Sequence, residues 1–425
     1  MMQSLKSRIV GATFALAACA MFSGAQAQAP AGEPIKVGFA MSLTGALSPN
    51  GKQALLGMKI WEDQTNKAGG LIGRPVKLVF YDDKSDPSEV PGIYTKLLDV
   101  DKVDLVVSAY ATNQIAPAMP VVIRKGKTFI SLFGLDVNDK FKYPKYFSVL
   151  PTGQDTKGSF TKGYFEIAMA QNPKPQTLAL TFADAEFSQN ACEGARANAK
   201  KAGLKIVYDE AYPPPPKTTD FAPIVRKIKS LNPDLVVVCA YPLDAVGMVL
   251  AANEVGLKPK MFGGALVGLQ ATFFKDKLKN KMNGIVNYET WVPDEKQMYK
   301  GTKEFFVEYQ SRAKAEGVDP LGYYLGGWGY AYLQILGDAV RGAKSIDDDK
   351  VAAELRKASF TTVMGPVKFG GKGEWAQGRM FTVQYHDIPA DAGLETWRGM
   401  SYQNVLEPKN LETGKVIYPY EKAIK

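Results

Sequence analysis

Apolar, β-branched runs that alternate with segments of helical period constrain this chain more than any other feature. From residue 35 to 135 the order is IKVGFAMSLTG, NGKQALLGMKIWEDQTNKAGGLIG, VKLVFYDDKSDP and DLVVSAYATNQ. Continuous apolar strands of this kind are buried on both faces and need crossover helices between them, which makes a parallel sheet of βαβ units. Ligands of such sheets lie at the carboxyl ends of the strands. That rule sets 42–50 and 110–113 on one rim.

The unit occurs twice. Strands are expected near 35–41, 76–81, 103–108 and 128–131 with helices near 51–68, 88–99 and 114–125. A second set follows, with strands near 177–183, 205–209 and 234–239 and helices near 188–202, 220–231 and 243–255. The fold class is α/β, two doubly wound Rossmann-like lobes. About 400 residues remain once an export signal is removed, more than one core usually supports. Residues 145–152 read as a short crossover between the lobes and 289–293 as a return crossing. Lobe 1 is expected over 34–150 and 293–360, and lobe 2 over 151–292 and 361–390. Helical period continues at 297–312, 324–342 and 347–356, then a turn and strand at 361–373 and a strand at 379–386. After Asp391 the chain is polar, weakly periodic and carries Pro408 and Pro419, so 391–425 reads as an extended surface tail.

Lys6 and Arg8 precede an apolar stretch from Ile9 to Phe22 and then Ala25-Gln26-Ala27, the pattern of a cleavable export signal cut after Ala27. The expected location is the periplasm. A lipid anchor at Cys19 is the rival, disfavoured because Ala20-Met21-Phe22 prolongs the apolar region where a polar tether would follow a lipidated cysteine. Loss of two cations and no acid takes the formal charge from +9 to +7. The basic residues are scattered among acids, which argues against nucleic acid as a partner. Cys192 and Cys239 remain, and an oxidising compartment permits either a disulfide or two buried thiols. His386 is the single histidine, so a histidine-based triad or a multi-histidine metal site has no material. No nucleophile elbow or phosphate loop is present. The chain reads as a non-enzyme without metal or cofactor.

Four segments in order carry a family resemblance: Gly38-Phe39-Ala40-Met41-Ser42-Leu43-Thr44-Gly45, Asn66-Lys67-Ala68-Gly69-Gly70-Leu71-Ile72-Gly73, Asp82-Asp83 through Asp86-Pro87, and Asp220-Phe221 before a basic helix. Together they resemble the periplasmic branched-chain amino-acid-binding proteins of ABC transporters, up to about His386. The resemblance implies a type I periplasmic binding protein: two lobes joined by a three-segment hinge that close on a small-molecule ligand, expected as a monomer that presents the closed form to a membrane permease. It also implies a site. Ala111, Thr112 and Asn113 after one strand and Phe133, Gly134 and Leu135 after another match the first-lobe ligand segments, and Tyr110 adds an aromatic ring beside them. Asn50 stands at an aromatic family position, while Phe187 and Tyr241 match second-lobe aromatics that meet the ligand on closure.

One departure from the family redirects the ligand. Where the amino-acid binders carry an acid that pairs with the ligand's α-ammonium, this chain has Ala265. A buried ammonium without a partner costs several kcal/mol, which disfavours zwitterions. A carboxylate or neutral amide without a free α-amino group is favoured, an aromatic acid above all. The alternatives are an amino acid whose ammonium finds Asp184 or Glu186, and a sensing module for a membrane receptor. Each residue also has a plain structural role open to it: Thr112 and Asn113 as helix caps, the rings as core, and Asp82, Asp83 and Asp86 as turn and cap residues. Gly69 to Gly73 reads as a helix stop, and Gly326, Gly327 and Gly329 as a site of close helix packing.

Overall fold

The computed structural model describes residues 29–424, so the export signal and Cys19 lie outside the described residues. The strands, in chain order, are β1 (Ile35–Met41), β2 (Val76–Asp82), β3 (Leu105–Tyr110), β4 (Phe129–Leu132), β5 (Tyr146–Ser148), β6 (Thr177–Ala183), β7 (Lys205–Tyr212), β8 (Leu235–Ala240), β9 (Met261–Leu266), β10 (Val286–Glu289), β11 (Ser359–Thr362), β12 (Gly365–Lys368), β13 (Phe381–Tyr385) and β14 (Gln403–Glu407). The first sheet is parallel with order β2-β1-β3-β4-β5; the second runs β14-β13-β10-β9-β8-β6-β7, with β13 and β14 antiparallel to their neighbours. β3 and β8 are buried along their whole length, as strands covered on both faces by helices must be. Strand order reverses between β1 and β3 in one sheet and between β6 and β8 in the other, the switch points where clefts open at the strand tips.

Three crossings join the sheets. The first, after β5, is buried at Val149 and Leu150; the second is buried through Thr290, Trp291 and Val292. The third lies along the first, since Ser148 N–H donates to Gly373 O at 2.9 Å and Arg379 N–H to Pro151 O at 2.8 Å. Trp328, on the helix Leu325–Ala343, ties the set together: its Nε1 donates to Thr290 Oγ1 at 3.1 Å and its ring meets Trp375. That helix packs on the helix Ser48–Lys67 with backbones in contact. A Cβ at Gly57 would stand 2.1 Å from Gly326 O, and one at Gly329 would stand 2.3 Å from Ala54 O, so glycine is what lets the helices approach. The acidic segment behaves as turn and cap: Asp86 Oδ1 accepts from Ser88 N–H, and Asp83 Oδ1 from Ser42 Oγ and Ser85 N–H.

The structure departs from expectation in three places. The helix expected over 114–125 is three short pieces, Thr112–Ile115, Ala116–Ala118 and Met119–Arg124, because Pro117 and Pro120 each remove an amide donor and crowd the preceding turn. The boundary expected at 360 falls inside the β11–β12 hairpin. This hairpin packs on the helix Leu325–Ala343, where Gln334 Oε1 accepts from Val363 N–H at 3.1 Å. The 391–425 segment is not an extended surface tail. It supplies β14 to the second sheet and buries Trp397, Val405, Leu406 and Tyr420. Of the two states left open for Cys192 and Cys239, the structure has the disulfide, with Cα atoms 5.9 Å apart, linking the helix Glu186–Lys201 to β8. Among the described residues no helix is long and apolar enough to cross a membrane, and no cluster of three or more metal-ligating side chains occurs.

Candidate functional site

The carboxyl ends of both sheets face one another across a narrow cavity of about 10 Å³. From the first sheet come Tyr110, Ala111 and Thr112 at the end of β3, Phe133 after β4 and Leu150 after β5. From the second come Phe160, Phe187, Tyr241, Val267 and Tyr288, and Tyr324 closes the ring from the start of its helix. The backbone is bent to make this rim. Ala111 has φ 80° and ψ 144°, and Phe133 has φ 68°, left-handed values that cost a residue with a Cβ on the order of 1–3 kcal/mol and that gather at functional sites.

Thr112 is fully buried at the cavity wall, and its Oγ1 accepts from Leu135 N–H at 3.0 Å, which fixes the hydroxyl oxygen. The N–H groups of Thr112 and Asn113 belong to a first helical turn, where no intrahelical acceptor exists. Asn113 bridges the cleft. Its Oδ1 accepts from Tyr241 Oη at 2.9 Å and from Phe187 N–H at 3.3 Å, so residues of the second sheet are held by a side chain of the first. Asn190 Nδ2 donating to Leu135 O at 3.2 Å and Thr156 Oγ1 donating to Asp136 Oδ1 at 2.7 Å lie across the same divide. The lobes are closed.

A chain of hydroxyls occupies another part of the wall. Asn50 Nδ2 donates to Tyr110 Oη at 3.2 Å; Tyr110 and Tyr288 each pair with Tyr324 Oη at 3.4 Å. Burial pushes the Tyr110 phenol up to about 12 and raises Tyr241, Tyr288 and Tyr324 as well, so all four stay protonated donors at neutral pH. Among the described residues no carboxylate, ammonium or guanidinium lines the cavity. Asp184 lies outside the lining and accepts from Gln189 Nε2 at 2.6 Å. Glu186, whose carboxyl burial raises, is also outside it.

Of the residues singled out in the sequence, the cavity wall brings together Tyr110, Thr112, Phe133, Phe187 and Tyr241. Asn50 stands behind Tyr110 and supports its hydroxyl instead of covering a ligand. Gly134 and Leu135 form the turn under the wall, Gly134 O accepting from Ser148 Oγ and Leu135 N–H holding Thr112. Ala265 is buried within β9, paired with Cys239. Val267, one pleat repeat further along, is the residue that reaches the cavity. Phe160, Tyr288 and Val267 carry no motif and were missed. Tyr324 was open to two readings, at the cleft mouth or merely at the start of its helix, and it lines the cavity; Leu150 was legible only as part of a crossover.

Residues 34–391 match the family model described as periplasmic binding protein. A leucine-, isoleucine-, valine-, threonine- and alanine-binding protein of Pseudomonas aeruginosa is 22% identical over 378 residues, spanning 87% of this chain and 95% of that protein. The branched-chain amino-acid transporter substrate-binding protein of Streptococcus pneumoniae, solved with isoleucine, superposes with a TM-score of 0.70 at 22% identity over 85% of this chain and 98% of its own. A solute-binding protein of an ABC transporter from R. palustris, solved with benzoate, does so with a TM-score of 0.69 at 18% identity over 85% of this chain and 95% of its own.

Proposed function

This chain belongs to the type I periplasmic binding proteins, the family of the branched-chain amino-acid binders, and from that premise we propose that it captures a small aromatic carboxylate for an ABC importer. Its relatives are solute-binding proteins and not enzymes. The observation that carries the ligand class is the wall itself: seven aromatic rings and a hydroxyl, with no carboxylate to receive an ammonium. A leucine-like zwitterion would bury its ammonium unpaired, at a cost of several kcal/mol after relaxation. A flat aromatic ring replaces that cost with stacking and edge contacts among Phe133, Phe160, Phe187 and Tyr241. Thr112 Oγ1–H and the adjacent N–H groups give a carboxylate hydrogen-bond donors without a buried cation. The R. palustris protein solved with benzoate has the same fold and supports the same reading.

The lobes exchange between open and closed forms. Ligand favours closure only through contacts made in the closed form, here those of Phe187 and Tyr241. The test is calorimetry and thermal unfolding with benzoate, leucine, isoleucine and phenylalanine. Benzoate-type acids are expected to stabilise the protein, by about 2.7 kcal/mol at a hundredfold excess over Kd, and the amino acids to leave unfolding unchanged. Binding of leucine or isoleucine with no response to any aromatic acid would overturn the proposal in favour of an amino-acid receptor.

A further inference from the structure

One outer face of the second lobe breaks the rule that a surface helix turns a polar side to water. The helices Ala222–Ser230, Pro242–Val255 and Thr272–Leu278 join β7 to β8, β8 to β9 and β9 to β10, steps in one direction along the sheet, so right-handed crossovers set all three on the same side. Their inner residues, among them Val225, Ile228, Met248, Val249 and Leu278, share one buried cluster. Outward, the middle helix presents Leu243, Val246, Gly247 and Leu250 at helical spacing, with no charged side chain on that stripe before Glu254. Among the described residues seven large apolar side chains are exposed. Four of them belong to this layer, Leu231 at 38%, Leu243 at 44%, Leu250 at 38% and Phe273 at 46%, while Ile72, Val100 and Val307 are on the first lobe. Such a gathering marks an interaction surface.

Cations surround the stripe. Arg226, Lys227 and Lys229 on the first helix, Lys277 on the third and Lys281 just beyond it are exposed. Lys229 Nζ donates to Val255 O at 2.7 Å, Lys277 Nζ stands 4.4 Å from the centre of the Phe273 ring, and Asn253 Nδ2 donates to Lys281 O at 3.1 Å. None of the five has a carboxylate partner among the described residues, whereas the lobe's Lys258 and Lys260 are paired with Glu421 and Asp234. Two exposed acids share the layer, Glu254 and Asp276, the second engaged by Trp397 Nε1. Between the first two helices a groove of about 560 Å³ runs past Arg226, Lys229 and Glu254, which gives a phosphate headgroup room. A second copy of the chain does not suit this face, because a two-fold contact sets its cations against the same cations. We propose that the face rests on an anionic lipid bilayer, with Leu243, Leu250 and Phe273 in the headgroup boundary and the five cations on lipid phosphates. Apolar side chains ringed by Lys and Arg are the chemistry of interfacial binding. The face shares no residue with the cavity lining, so a protein held there keeps its ligand site free beside a membrane permease.

The experiment is co-sedimentation with vesicles of the chain from Ala29 onward, the described fold without the apolar stretch Ile9 to Phe22 that by itself seeks a bilayer. Vesicles of phosphatidylglycerol and phosphatidylethanolamine are expected to bind it about tenfold or more tighter than phosphatidylcholine does, and the affinity to fall steeply as salt rises from about 0.05 to 0.5 M. Arg226→Gln with Lys229→Gln should weaken binding about 25-fold, fivefold for each cation, and Leu231→Ser with Leu250→Ser about tenfold. All four side chains are exposed, so the variants should keep the melting temperature of the parent. Lys314→Gln with Lys344→Gln takes the same charge from the first lobe and should leave binding nearly unchanged. No affinity for anionic vesicles, equal affinity for both lipid types, or an equal loss in the first-lobe pair overturns the proposal. So does retention on polyglutamate without vesicle binding, which assigns the face to an acidic protein instead.

Discussion

Replacing Asn113 by Ala should weaken binding of every ligand by a common factor. The Asn113 Oδ1 bonds to Tyr241 Oη and Phe187 N–H join the two lobes, so in the open form all three groups are hydrated and only the closed form loses anything. A net hydrogen bond contributes about 1 kcal/mol, and two give about 2 kcal/mol, or roughly thirtyfold in the open–closed equilibrium. Apparent affinity scales with the fraction of binding-competent protein, so Kd should rise by up to that thirtyfold where the free protein is mostly open. Alanine is a good helix former, and Asn113 is on a four-residue helix, so the first lobe should fold as before. Calorimetry on two chemically different ligands reads the factor, and small-angle scattering of the ligand-free variant reads the shift toward an extended shape. Tyr241→Phe removes one of the two bonds, and a double-mutant cycle should return a coupling of about 1 kcal/mol. Strictly additive effects, or a loss confined to one ligand, would refute the bridge as a closure contact.

Three further outcomes concern stability. Burial pushes the Glu374 carboxyl up to about 8 from an ordinary 4.5, and Asp244 and Glu289 up to about 7. Across that window the folded protein holds protons that the unfolded chain has released, so stability should fall as pH rises from about 5 to 8. Glu374→Gln should flatten the decline in chemical denaturation series, and a stability that rises with pH over this range would contradict the assignment. Replacing Cys192 and Cys239 together by Ala opens a link of sequence separation 47 and should cost about 2–4 kcal/mol in denaturant unfolding; no measurable loss would mean the pair contributes little in solution. Ending the chain after Asp391 removes β14 and the buried Trp397, Val405, Leu406 and Tyr420, each worth about 1.5–3 kcal/mol of apolar burial, and leaves β13 as a bare edge. A lower melting temperature and concentration-dependent aggregation are expected, and a truncated chain that melts like the whole would show the segment to be dispensable.

Much of the architecture is legible in the sequence because it rests on local pattern. Runs such as Leu235 to Cys239 and Leu105 to Val107 can only be strands covered on both sides, and the helices between them force parallel order. Once strand ends are located, the rule that ligands sit at carboxyl tips leads to the segment from Tyr110 to Asn113 without any structure, and the family resemblance adds Phe133, Phe187 and Tyr241. What local pattern cannot decide is which residue of a strand end turns into the cleft. Ala265 and Val267 share a face of the chain at β9, and only the stagger of neighbouring strands makes Val267 the one exposed to the cavity. Tyr288 and Tyr324 are 36 residues apart, and Tyr324 is 214 residues from Tyr110, so no window of sequence reveals that their hydroxyls meet. The same holds for β14, whose polar, proline-broken surroundings read as a tail until β13 offers an edge to pair with.

The sequence by itself therefore determined the two α/β units and their strand tips, because periodicity and side-chain type act over a few residues. The tertiary structure alone decided the joined cysteines, the β14 pairing, the Asn113 bridge and the meeting of the three tyrosine hydroxyls. Those depend on distances between segments far apart in the chain, which are set only when the lobes pack.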